Sequence, residues 1–252
     1  MKRKLMLFVL VILAAAYVFP VLVTIMKSLQ YGGRIVTLRQ FSELFITNNT
    51  VMRFFWNSVL YAGVITIVCI IVSFPLGFLF AKVTFRGREF LFFVFIIVML
   101  LPFQATLLPS YIQLRDMKLL HTPYALMLPM MFSPFAVFLF RQFIVGIPND
   151  ILEYTSLETS SVFQIFRYVV IPQLKEACAA LAVLIFCESW NMVEQAIIFA
   201  SEAPEIMPLS VTLTLLPQDV KYAGATMYLY PVLLVYLLFR DTLQESMEKF
   251  KW

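Results

Sequence analysis

The sequence predicts an all-α fold: a polytopic membrane helix bundle with about six transmembrane helices. Three observations carry this. Hydrophobic residues fill 62% of the 252 positions and charged residues only 13%, whereas soluble domains average about 45–50% and about 25%. Apolar runs recur at about the 20-residue length that spans a bilayer. No polar stretch between them is long enough to form a soluble domain, so residues 1–252 read as a single membrane domain.

The spans run roughly Leu5–Met26, Ser58–Ala81, Phe90–Pro109, Tyr124–Phe143, Ala177–Ala200 and Met227–Phe239. The first follows Lys2-Arg3-Lys4 and contains Ala14-Ala15-Ala16, which resembles a cleaved leader. Its apolar run continues to Met26, which fits a retained span. Most of the 19 lysines and arginines fall on the side shared by the two termini. Among them are Lys82, Arg86, Arg88, Arg141, Arg167, Lys175 and Arg240. Basic residues collect on the cytoplasmic side, so both termini are expected there, in a bacterial or archaeal cytoplasmic membrane.

The residues exclude several chemistries. The net charge of +4 forms no basic block, so no nucleic-acid partner is expected. Cys69, Cys178 and Cys187 lie in or beside apolar runs and read as small buried hydrophobes. His121 is the single histidine and has no nucleophile or metal-ligand partner in a recognisable pattern. No metal and no bound cofactor are expected. A glycine-rich lysine loop for phosphate is also missing.

The connection of about residues 146–172 carries the most information. From Pro148 to Pro172 it parses as helix, turn, helix. Asp150 with Glu153 fits a capping box for the first helix, and Ser161 with Gln164 fits one for the second. Val162, Phe163, Ile165, Phe166, Val169 and Val170 then form an apolar stripe. Arg167 is the only basic residue in that helix, too little charge for a helix lying on anionic lipid. The acidic residues Glu153 and Glu158 point to a protein partner instead.

This connection resembles the coupling (EAA) loop of binding-protein-dependent ABC importer permeases. Glu153 takes the place of that pattern's glutamate, Glu158 that of its aspartate and Ser160 that of the following alanine. Phe166 and Pro172 fall where the family has phenylalanine and proline. Other motifs resemble the carbohydrate branch: Asn57-Ser58, Phe85-Arg86-Gly87-Arg88, Ser133-Pro134, Arg141-Gln142-Phe143, Trp190-Asn191 and Leu209-Ser210-Val211. Together they cover about residues 1–240.

The resemblance implies a type I ABC importer-like fold. It also implies a second permease subunit, two cytosolic ATPase subunits that bind ATP and Mg, and an extracytoplasmic solute-binding protein. Glu153, Tyr154, Leu157, Glu158, Thr159, Ser160, Phe166 and Pro172 would then couple the chain to an ATPase. The pattern also departs from the family. Tyr154 and Thr155 replace two alanines, which implies a differently shaped docking groove. Thr159 replaces a glycine, and a β-branched residue at positive φ costs about 1–2 kcal/mol.

Charges within the fifth run form the second candidate site. Glu188, Asn191 and Glu194 are spaced three apart, which places them near one face of a continuous helix. Charge in hydrocarbon is costly, so such residues face a bundle interior or a water-filled path. Trp190 beside them offers a ring for a sugar. Polar helix–helix contacts or an interfacial position would explain the same residues. Met192 stands where the family carries an acidic residue. An ion-coupled secondary transporter using Glu188 and Glu194 is the alternative function. Such transporters carry repeated halves, and residues 1–125 and 126–252 show no convincing repeat. A permease-derived membrane scaffold is a further alternative.

Overall fold

The computed structural model describes residues 2–30, 32, 36–47, 49–158 and 161–249. Thr159 and Ser160 lie outside the described residues, as does the side chain of Glu158. Among the described residues the secondary structure is helical, without strands. The main helices are α1 (Lys2–Ser28), α2 (Asn49–Lys82), α3 (Arg88–Met99), α4 (Phe103–Asp116), α5 (Pro123–Met127), α6 (Pro134–Val145), α7 (Asn149–Glu158), α8 (Lys175–Trp190), α9 (Glu194–Phe199) and α10 (Gln218–Lys249).

Four segments are long and apolar enough to cross a membrane, and two bent helix pairs bring the number to six. That agrees with the six apolar runs, but three of them are interrupted: Tyr124–Phe143 is divided into α5 and α6, and two others are broken. The Phe90–Pro109 run breaks after Met99, and α3 and α4 meet at 99°. Pro102 lacks an N–H and takes an extended conformation, φ −64 and ψ 141, at the start of α4. Proline also disfavours helical geometry in the residue before it.

The Ala177–Ala200 run ends its helix at Trp190, with Asn191 as the cap at φ −89 and ψ 14. Asn191 Nδ2 donates to the Cys187 carbonyl at 2.7 Å, which also accepts the Asn191 backbone N–H at 3.2 Å. Ser210 Oγ donates to the Met192 carbonyl beyond the break. The sixth run is the centre of a much longer helix, α10.

α2 is the hub of the bundle. It packs along α6 and α8, α8 packs on α10, and α1 rests on α10. The core between α2, α6 and α8 contains Ile65, Phe74, Phe140, Ile144, Leu181 and Ile185. The spanning window of α1 is 0% buried within the chain, so lipid or another subunit must cover it.

Several sequence motifs prove to be structural staples. Asn57 Nδ2 donates to the carbonyls of Glu205 (3.0 Å) and Met207 (3.2 Å). Ser58 Oγ accepts the Leu209 N–H at 2.8 Å. These bonds hold the α9–α10 connection onto α2. At the other end of α2, Gly87 turns the chain at φ 87, a conformation that suits glycine. Arg141 closes the corner: it donates to the Phe80 carbonyl at 3.2 Å, pairs with Glu89 at 3.0 Å and lies 3.9 Å from the Phe92 ring centre.

Candidate functional site

The 146–172 connection is helical on both sides of residues 159–160, which lie outside the described residues. α7 starts at Asn149, so Asp150 sits inside the first turn, where a carboxylate favours the helix dipole. Ser161 precedes the next helix, and its carbonyl accepts the N–H of Gln164 at 3.0 Å. That helix, Val162–Ile165, runs into a π-helical turn, Phe166–Val170, and a short helix, Ile171–Gln173. The Phe166–Gln173 stretch meets α8 at a 66° bend. Pro172 is therefore within the helical path, at an exposed position.

The loop is anchored to the bundle at two points. Lys82, the last residue of α2, donates to the Ile147 carbonyl at 2.5 Å and to Asn149 Oδ1 at 2.8 Å. Phe166 turns inward, with ring centres 5.3 Å from Phe74 and 4.5 Å from Phe78. It anchors the loop to α2 while remaining half-buried.

α7 faces two ways. Leu152 packs against the core. Ile151, Tyr154 and Leu157, three apart, form an outward stripe that is 38%, 72% and 83% exposed. Glu153 is exposed beside it. The expectation from sequence gave the acidic residues the leading role; Tyr154 and Leu157 are exposed on the same helix as Glu153.

The second candidate site is rearranged by the helix break. Glu188 and Asn191 belong to α8 and its cap, but Glu194 starts a separate helix, α9. The three do not share one continuous helical face. Trp190 is 0% exposed. Its ring is covered by Phe186 at 5.7 Å, Phe55 at 6.1 Å and Tyr228 at 5.4 Å. Its Nε1–H donates to the Tyr228 carbonyl at 3.2 Å, and the Tyr228 hydroxyl donates to Asn191 Oδ1 at 2.7 Å. Trp190 is a packing residue with no free face for a sugar.

Glu188 lines a cavity of about 530 Å³ between the α3–α4 elbow, the α5–α6 connection and α8. Glu194 lines a neighbouring hollow and accepts from Gln104 Nε2 at 3.3 Å. Sequence reasoning missed Gln104 and Tyr228, whose partners lie far away along the chain. It treated Lys82 only as a topology charge, although its place at a span end was visible.

This is a polytopic helical membrane protein with an exposed helix, α7, between two of its spans. The chain belongs to the binding-protein-dependent transport system inner membrane component family, whose profile matches residues 73–249. It is a multi-pass transport component of the membrane.

The chain is 25% identical over 246 residues to the arabinooligosaccharides transport system permease protein AraQ of Bacillus subtilis (strain 168), covering 90% of this chain and 88% of that one. It is 34% identical over 139 residues to the sn-glycerol-3-phosphate transport system permease protein UgpE of Brucella abortus (strain 2308), 55% of this chain and 49% of that one. The crystal structure of a bacterial ABC transporter involved in the import of the acidic polysaccharide alginate superposes with a TM-score of 0.85. The match covers 95% of both chains at 20% identity.

Proposed function

We propose that this chain is one of two membrane-spanning subunits of an ATP-driven importer for a carbohydrate or related polyol. In this reading a solute-binding protein delivers solute on the outer face, with both termini and α7 in the cytoplasm. ATP and Mg bind two cytosolic ATPase subunits, and this chain contributes no catalytic residue. The names of its relatives support the solute class, which includes neutral and anionic members.

The exposed Ile151–Tyr154–Leu157 stripe, on a loop clamped by Lys82 and Phe166, carries the coupling part of the proposal. A protruding aromatic and aliphatic pair suits a groove in an ATPase subunit. The two anchors would transmit movement of that groove to α2 and α8. Glu153 and Glu158 would contribute at the rim, where charge sets orientation more than affinity.

Purifying the complex in mild detergent tests this. Wild-type chain is expected to recover an ATPase subunit. Tyr154→Ala with Leu157→Ala should lower recovery at least about 30-fold, the equivalent of a hot spot worth about 2 kcal/mol. Glu153→Ala should have a smaller, salt-sensitive effect. Undiminished recovery in the double variant would place docking elsewhere. No ATPase with wild-type chain would overturn the importer reading.

A further inference from the structure

Every polar group in the Glu188 cavity is either a carboxylate or a hydroxyl. The wall contains Phe103, Phe132, Phe135 and Phe199, and the polar groups are Glu188, Thr106, Ser110 and Ser133. No lysine, arginine or histidine is among the described lining residues. Thr106 Oγ1 donates its proton to the Phe103 carbonyl at 2.8 Å, which leaves its oxygen as an acceptor. Among the described residues, no hydrogen bond or ion pair engages the Glu188 carboxylate.

The neighbouring hollow shares Leu107 with this cavity and has the same sign of charge. It contains Glu194 and Gln104 and again no cation. Two carboxylates therefore flank α4. Aromatic and aliphatic walls are poorly polarisable and focus such a field into the space they enclose.

We infer that Glu188 sets the charge selectivity of the solute path, admitting neutral polyhydroxylated solutes and turning away anionic ones. This rests on the importer reading above and deepens it. The lining presents the Glu188 carboxylate and the hydroxyls of Thr106, Ser110 and Ser133, and sugar hydroxyls can donate to the first and exchange hydrogen bonds with the others. The phenylalanine faces suit the apolar C–H faces of a sugar ring. A phosphate or uronate solute would bring acceptors and like charge to the same place. It would lose its water there and meet hydroxyls but no cation among the described lining residues.

The test reads the electrostatic field and needs no known solute. Cys69, Cys178 and Cys187 are replaced by alanine, and Thr106→Cys or Ser110→Cys is introduced in separate variants of the membrane-embedded protein. Each is modified with a trimethylammonium-bearing and a sulfonate-bearing methanethiosulfonate. The two rates are normalised to those of a small thiol in solution.

The cationic reagent should react at least about tenfold faster at low salt, the lower end of field-focusing effects. Glu188→Gln should bring the ratio close to one, and added salt should shrink it in the parent. A ratio that Glu188→Gln leaves unchanged at both positions would overturn the proposal. So would a preference for the sulfonate, or no reaction at either position. Two positions on different turns of α4 keep the result readable if one disturbs packing. ATPase recovery tests the importer reading and the reagent ratio tests the cavity, so the two fail separately.

Discussion

Trp190→Ala is expected to cost the bundle about 3–5 kcal/mol, the range for removing a large buried aromatic side chain. The ring is fully enclosed by Phe186, Phe55 and Tyr228. Its removal leaves a cavity where α2, α8 and α10 meet. Helices in lipid associate mainly through close packing and hydrogen bonds, so the lost contacts have no solvent-driven substitute. The Nε1–H bond to the Tyr228 carbonyl is lost as well.

Tyr228→Phe separates the two contributions. It removes the hydroxyl that donates to Asn191 Oδ1 at 2.7 Å while leaving the ring contact. That change should cost only about 1 kcal/mol. Thermal unfolding of detergent-solubilised protein, followed by size-exclusion fluorescence, checks both. A solute-stacking tryptophan would behave otherwise: its removal would lower transport and leave the unfolding midpoint in place.

The spans were legible because their length and apolarity are local properties of the chain. The breaks within them were not. Pro102 ends a helix, but Pro20, Pro75 and Pro231 lie inside uninterrupted ones, so proline in an apolar run does not by itself locate a bend. Asn191 looks like a polar residue on a helical face until its side chain is seen capping Cys187.

The two helices of the 146–172 connection were legible because helical patterning is a local signal, although α7 starts at Asn149 and so takes Asp150 inside its first turn. The inward turn of Phe166 depends on Phe74 and Phe78, which belong to another span. The burial of Trp190 depends on Tyr228, 38 positions away. Contacts across such separations leave no pattern in a single sequence.

Gly77→Ala is expected to destabilise the fold by about 1–3 kcal/mol, the usual cost of overpacking, and Gly77→Val by more. α2 crosses α6 at this glycine. A methyl group on Gly77 would lie 2.5 Å from Phe140 Cβ, 3.1 Å from the Arg141 amide nitrogen and 3.2 Å from the Phe140 carbonyl carbon. None of these atoms belongs to a flexible side-chain end, so no rotamer change relieves the clash. The helices must move apart, which loosens Phe140 from Phe74 and shifts Arg141 away from Glu89.

Gly63 on the same helix is the control. A methyl there meets nothing within 4 Å. Gly63→Ala should therefore be neutral, or stabilising by up to about 1 kcal/mol through helix propensity. The same unfolding measurement compares the pair. Opposite signs would show that the close α2–α6 crossing, and not glycine's general weakness in helices, requires the missing side chain at position 77. Equal effects would mean that the crossing opens easily and that the loop clamps at Lys82 and Phe166 hold the two helices together instead.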